Sequence, residues 1–196
     1  MSNVSIREAI PDELPEAAYL ASLAMISLPD NNAVFAGKRS QFEAAILMMF
    51  KNMPGQVLLA KDKDDDQIVA VMRLVEWPKC RKMGRESFKL LPSMLFSLKS
   101  SIPRLMKRQT MWAQHDPKEH HWHLDPLAVL PERQGQGIGT KLMKHFCEYV
   151  DSHGAASYLE TSTTDNVRFY ERFGFSVTGE ATVLGAPTWF MWRPSK

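Results

Sequence analysis

Seven residues, Gln134-Gly135-Gln136-Gly137-Ile138-Gly139-Thr140, constrain this chain more than any others. They stand between a strand pattern, Leu124 to Leu130, and a helix pattern from about Gly137 to His153 that turns Leu142, Met143, Phe146, Tyr149 and Val150 inward. Glycine at alternate positions lets successive backbone N–H groups turn toward one point and lets a ligand come close, and the helix that follows adds its partial positive N-terminus. The loop is built to hold a phosphate or diphosphate, since a tight turn alone needs only one glycine.

Two common phosphate-binding patterns do not fit. A P-loop needs Gly-Lys-[Ser/Thr], whereas the order here is Gly139-Thr140-Lys141. A dinucleotide fingerprint starting at Gly135 meets Thr140 where its third glycine belongs. Glu160 could imitate the ribose-binding acid, but only 36 residues follow it, too few to complete a doubly wound fold.

The elements around the loop predict a mixed α/β sheet. Val4 to Arg7 reads as a strand, and Pro11-Asp12-Glu13 opens a helix over about 12–27. Ser40 caps a second helix carrying Phe42, Ile46, Met49 and Phe50. Gln56 to Lys61 and Gln67 to Trp77 are strands joined by Asp62-Lys63-Asp64-Asp65-Asp66. This acid run lacks the glycine and distal glutamate of a calcium loop and reads as a solvated hairpin turn. After the glycine loop and its helix come a strand at Tyr158 to Thr161, a short helix at Asn166 to Phe173, and closing strands at 175–181 and 188–193. The order of strand, helices and strands, then strand-helix-strand-helix-strand-strand, is that of one layered domain.

Charge is unevenly spread. The 196 residues carry a formal net charge of +2, which gives no bulk field for nucleic acid. Between Lys79 and Gln109, however, nine basic residues (Lys79, Arg81, Lys82, Arg85, Lys89, Lys99, Arg104, Lys107, Arg108) face one acid, Glu86; this local +8 leaves −6 elsewhere. Phe88, Leu91, Leu95, Leu98, Ile102 and Leu105 recur there at steps of 3 and 4, a helical stripe with the cations on the other faces, interrupted at Pro92 and Pro103. The stripe reads as a helical lid over a substrate pocket rather than a membrane-surface helix. Two cysteines, Cys80 and Cys147, point to a reducing compartment, and the N-terminus carries no secretory pattern. The longest aliphatic run, Ala44 to Phe50, falls far short of the roughly 20 residues that span a bilayer. A cytoplasmic protein with no membrane or nucleic-acid partner, monomeric or homodimeric, is expected.

Leu127-Ala128-Val129 followed by Gln134-x-x-Gly137-x-Gly139 resembles the acetyl-CoA motif of the GNAT N-acetyltransferases. The stretch Asn166-Val167-Arg168-Phe169-Tyr170-Glu171-Arg172-Phe173-Gly174-Phe175 is similar to that family's N-x-x-F-Y-x-x-x-G-F segment. The branch that looks closest is the puromycin-acetyltransferase-like one, through Leu159-Glu160-Thr161-Ser162, Phe169-Tyr170-Glu171-Arg172, Val177-Thr178 and Thr188-Trp189-x-Met191-x-Arg193. The resemblance covers residues 121–193 and implies the GNAT fold over residues 1–196. That fold is α/β: a mixed, mostly antiparallel sheet with splayed central strands flanked by helices, here with a basic helical insertion at 78–120 before the cofactor strand. It implies acetyl-CoA as cosubstrate. Leu127, Ala128 and Val129 would pair with its pantetheine arm, and the Val129 N–H would stabilise the oxyanion. Main-chain donors of Gln134, Gly135, Gln136, Gly137, Ile138, Gly139 and Thr140 would hold the diphosphate, with Asn166 on the arm. Tyr170 would be the general acid, since a phenol of pKa about 10 can protonate a thiolate whose acid has a pKa of about 8.5.

The general base stays open among Glu160, His123, Asp125 and an ordered water. Strand alternation puts His121, His123, Asp125 and Leu127 on one side, opposite Trp122, Leu124 and Ala128, with Pro126 able to shift the register. His120, His121 and His123 lack a fourth ligand and helical spacing, so no metal site is expected. The implied reaction is acetyl transfer to a primary amine of a small molecule. The alternatives are acetylation of protein N-termini or lysines, or a CoA-binding sensor without catalysis.

Overall fold

A computed structural model describes residues 3–82 and 95–196. Its centre is a seven-stranded sheet in the order β1-β2-β3-β4-β5-β7-β6. The strands are β1 (Val4–Glu8), β2 (Gln56–Asp62), β3 (Ile68–Glu76), β4 (His121–Val129), β5 (Ala156–Thr161), β6 (Ser176–Val183) and β7 (Ala186–Arg193). All neighbours are antiparallel except β4 and β5. The helices are α1 (Leu14–Met25), α2 (Pro29–Phe35), α3 (Arg39–Asn52), α4 (Ile102–His115), α5 (Ile138–Ser152) and α6 (Thr164–Glu171).

Helices cover both faces of the sheet, which explains why β3 is a nearly continuous apolar run rather than an alternating one. On one face, Leu142, Met143, Phe146 and Val150 of α5 pack on Met72, Leu74, Trp122 and Leu124. On the other, Ala17, Ala21, Phe35, Phe42 and Ile46 of α1–α3 pack on Leu59, Val71 and Ala128. Among the described residues no helix is long and apolar enough to cross a membrane.

The acid run forms the β2–β3 turn. Asp62 and Asp65 accept backbone N–H bonds from Asp64 and Gln67 (3.0 Å each), Asp66 pairs with Lys61 (2.6 Å) and Asp62 with Arg133.

Three sequence expectations change. Residues 28–40, for which no element is expected between the first two helices, contain α2, which starts at Pro29 in a first-turn position and ends at Ala36 in the left-handed region (φ 50°). The basic stripe is not one helix. Leu98 is buried, but Leu95 is 62% exposed, Lys99 has φ 43°, and α4 starts afresh with Pro103 in its first turn; Phe88, Leu91 and Pro92 lie outside the described residues. Arg108, expected on an outer face, is buried instead, donating to Asn31 Oδ1 at 2.8 Å and lying over the Trp112 ring at 4.6 Å. Polar partners on α2 make that inward position affordable for a guanidinium.

The C-terminal strand is locked to α5 by a bidentate pair. Arg193 Nη1 and Nη2 donate to Asp151 Oδ1 and Oδ2 at 2.7 and 2.8 Å, and Arg193 Nε donates to the Phe173 carbonyl at 2.9 Å. The Arg193 bond holds the Asp151 carboxyl below its ordinary value of 3.8. Asp151→Asn is therefore expected to lower stability by about 2 kcal/mol at neutral pH. This is less than for a fully buried pair, because Asp151 keeps 24% exposure. The carboxyl is depressed in the folded state, so its contribution is complete above the unfolded value and disappears as pH falls through the folded one. Urea midpoints of wild type and variant should converge on acidification; a gap that widened would exclude this ion pair as its source.

Candidate active site

The site begins where two strands stop pairing. β4 and β5 are joined only at His121–Ala156, Trp122–Ser157 and His123–Tyr158, after which they separate. On its other edge β4 stays paired with β3 as far as Val129, with one irregularity between Met72 and Leu74. There Met72 faces Leu127 and Leu74 faces Leu124, so Asp125 and Pro126 together oppose Arg73, a β-bulge. The buried Arg73 guanidinium holds this bulge by donating to the Asp125 carbonyl (3.3 Å) and to the Pro54 carbonyl.

The bulge corrects the expected alternation. Leu127 and Val129 pack on the same face as Trp122 and Leu124, while Ala128 joins the opposite core. The Leu130 N–H donates to the Val69 carbonyl at 2.9 Å. Since backbone groups alternate along a strand, Ala128 spends its N–H and C=O on β3, and Leu127 and Val129 direct theirs to the open edge. The Val129 carbonyl accepts from Gln134 Nε2 at 3.0 Å. Ala128 therefore offers the open edge neither backbone group nor side chain.

The glycine loop follows at the end of that edge. Gly135 and Gly137 have φ of 75° and 79°, the left-handed region, and Gly137 is the N-cap of α5. The first bond of the helical ladder runs from the Lys141 N–H to the Gly137 carbonyl (3.0 Å), so the N–H groups of Ile138, Gly139 and Thr140 precede it. The Ile138 side chain is buried, leaving its N–H as its contribution. Gln134 departs from expectation. Its N–H donates to the Pro131 carbonyl at 3.3 Å and its side chain is taken by Val129, while Gln136 Nε2 donates to the Glu132 carbonyl at 3.2 Å. Both glutamine side chains shape the loop.

From the open edge a cleft enclosing about 1020 Å³, part of it open to solvent, runs toward α4. One wall carries Asp125, Leu127, Glu160, Asn166 and Tyr170; the other carries Phe35, Phe42, Met49, Leu105, Arg108 and Trp112. Asp30 also lines it, its carboxylate accepting from Ser162 Oγ (2.5 Å). Tyr170 is 9% exposed, and burial, aided by the Asp125 charge, raises its phenol well above the ordinary value of 10, so it keeps its proton. The basic insertion thus reaches the cleft through α4. Asn166 lines the same wall, its N–H bonded to the N-cap Thr163 Oγ1 at 3.3 Å.

Glu160 and His123 are paired. His123 Nε2 lies 2.8 Å from Glu160 Oε2, with side chains 13% and 3% exposed. Burial opposes a charge on His123, but Glu160 and Cys80 outweigh it and raise the imidazole well above 6.5. Of the three candidate bases, Asp125 and Glu160 line the cleft, whereas His123 stands behind Glu160. The histidine cluster divides, because His120 turns outward to Glu76 (3.1 Å) while His121 is fully buried. Cys80 and Asp116, which no sequence spacing singled out, arrive beside His121 and His123.

Comparison with known proteins agrees with this geometry. The model of the acetyltransferase (GNAT) family matches residues 24–175. The peptidyl-lysine N-acetyltransferase YjaB of Salmonella typhimurium is 37% identical over 67 residues, 33% of this chain and 45% of that protein. An uncharacterized N-acetyltransferase of Schizosaccharomyces pombe is 37% identical over 57 residues, 29% of this chain and 23% of that protein. The chain thus matches less than half the length of either relative. Among solved structures, a Corynebacterium glutamicum protein described as histone acetyltransferase HPA2 and related acetyltransferase superposes with a TM-score of 0.70 at 22% identity, covering 100% of this chain and 98% of that one. A GNAT-family acetyltransferase of Brucella melitensis, crystallised with acetyl-CoA, gives 0.55 at 17% identity, covering 100% and 92%. With a family match over most of its length and the fold these structures share, the chain belongs to the GNAT acetyltransferase family.

Proposed function

We propose that this protein transfers the acetyl group of acetyl-CoA to a primary amine on a small, largely apolar molecule. The observation that carries the proposal is the continuity of three features: an anion-binding loop, an open β4 edge, and an apolar cleft bearing carboxylates and a buried phenol.

The residues fit the cosubstrate. The N–H groups from Gly135 to Thr140 suit a diphosphate, and the outward N–H and C=O groups of Leu127 and Val129 suit the amides of a pantetheine arm. When bound, acetyl-CoA supplies a thioester carbonyl and a thiolate leaving group. Leu127 lines the cleft beside Tyr170 and Val129 lies nearer the loop, so the Leu127 N–H takes the oxyanion role and Val129 steadies the arm. Glu160 takes the ammonium proton, freeing the lone pair for attack, while His123 orients its carboxylate. Tyr170, held protonated by burial, gives its proton to the departing sulfur.

The acceptor follows from the cleft lining. Asp30, Asp125 and Glu160 attract an ammonium group, and Phe35, Phe42, Met49 and Trp112 suit an apolar or aromatic body. This also fits the puromycin-acetyltransferase-like resemblance. A second reading, a protein lysine acceptor, is favoured by the identity to a peptidyl-lysine N-acetyltransferase.

Free-thiol release from acetyl-CoA across a panel of aromatic amines, aliphatic amines and peptides separates these readings. Aromatic primary amines should give the highest kcat/KM. Turnover of lysine peptides alone would select the second reading, and tight CoA binding without turnover would remove catalysis. Tyr170→Phe is expected to lower kcat by about 100-fold with little change in CoA affinity. Glu160→Gln should lower kcat by a similar factor of about 100, and an undiminished rate would assign the amine proton to another acceptor.

A further inference from the structure

Behind the cleft, the turn after β3, the end of α4 and the start of β4 bring four side chains to one point. One ligand atom each from Cys80, Asp116, His121 and His123 lies within 4.8 Å of every other. We infer that these residues form a tetrahedral Zn²⁺ site that clips both ends of the segment 81–115 to the sheet.

The chemistry of the set favours zinc. One sulfur, one carboxylate oxygen and two imidazoles make a borderline-soft, four-coordinate environment. A thiolate and a carboxylate together neutralise a divalent ion, so the closed site carries no net charge into a half-buried position. The spacing is close to what an ion needs, since bonds of about 2.0–2.3 Å give tetrahedral edges of about 3.3–3.8 Å. His121 Nε2 and Asp116 Oδ1 already stand 3.3 Å apart.

The second independent observation is how the two imidazoles are held. His121 Nδ1 is 2.7 Å from the Glu119 carbonyl, which fixes its proton there and leaves Nε2 as the ligand atom. His123 Nε2 is 2.8 Å from Glu160, which leaves Nδ1. A backbone carbonyl and a carboxylate behind the ligating histidines are the supports that metal sites use to fix tautomer and ring direction. The backbone supplies the placement. His121 and His123 are two apart on β4 before the bulge and share a face, and the Trp77 N–H donates to the His121 carbonyl (2.9 Å), seating the turn that carries Cys80. Asp116 is the C-cap of α4.

The ion would tie the turn that carries Cys80 to Asp116 at the C-terminal end of α4, fixing where that helix ends beside the cleft, and through His123 would orient Glu160. It would be structural, because all four positions are filled by protein.

The test uses tag-free protein stripped with a chelator and titrated with Co²⁺ as a spectroscopic stand-in. Saturation is expected at about one equivalent, with tetrahedral d–d absorption and a near-ultraviolet thiolate-to-cobalt band that Zn²⁺ abolishes. Cys80→Ser should lose the thiolate band while Cys147→Ser keeps it, and His121→Ala should weaken binding by about 10-fold or more. Zn²⁺ should also slow tryptic cleavage within 81–115. Sub-stoichiometric uptake, a weak octahedral spectrum or an unchanged thiolate band in Cys80→Ser would each overturn the site. The wild-type spectrum reports sulfur ligation by itself, so a variant that fails to fold does not blunt the test.

Discussion

The separation of β4 from β5 beyond His123 is the constraint on which the rest depends. A buried strand edge must find partners for its N–H and C=O groups, and here β5 diverges from β4 after Tyr158 while its far edge stays paired with β7 through Thr161. The protein meets part of the need itself, through the Gln134 amide on the Val129 carbonyl. The remaining edge points into a gap that leads from the glycine loop to the cleft. An extended, amide-bearing ligand satisfies such an edge as an added strand would.

Arg73 and the bulge give this edge its phase. Two residues of β4 opposite one of β3 exchange the faces on which side chains lie, so beyond the bulge Leu127 and Val129 join the face of Trp122 and Leu124 while Ala128 joins the opposite core. The buried guanidinium bonds the Asp125 carbonyl within the bulge and the Pro54 carbonyl ahead of β2, tying the irregularity to the neighbouring segment. Charge in the neighbouring cleft is handled pairwise: Arg108 faces Asp30 and Asn31, and His123 faces Glu160. Two of the acids that an ammonium group would meet, Asp30 and Glu160, are therefore already directed by partners.

Much of this was legible because it is local. The glycine loop, α5 and the Asn166–Phe175 stretch depend on short-range spacing and on residues with special backbone freedom, and each lies where its pattern indicates. The segment 28–40 was less readable, since Pro-Asp-Asn-Asn carries turn-forming residues, and its helix is held by the burial of Asn31, Val34 and Phe35. Arg108 was misplaced for a related reason: a cation in an amphipathic stripe defaults to the surface unless distant polar partners receive it. Three histidines in four positions looked like one cluster, but strand alternation sends His120 to Glu76 and His121 to the interior.

The sequence by itself determined the family, the glycine loop and the placement of Tyr170 in the Asn166–Phe175 stretch, because each is encoded within about ten consecutive residues whose backbone geometry is nearly self-sufficient. Only the tertiary structure decided which backbone groups of β4 face the open edge, which carboxylate reaches the cleft, and that Cys80 and Asp116 meet His121 and His123. Those outcomes depend on a one-residue slip between strands and on contacts between segments far apart in the chain, and neither leaves a periodic trace in the order of residues.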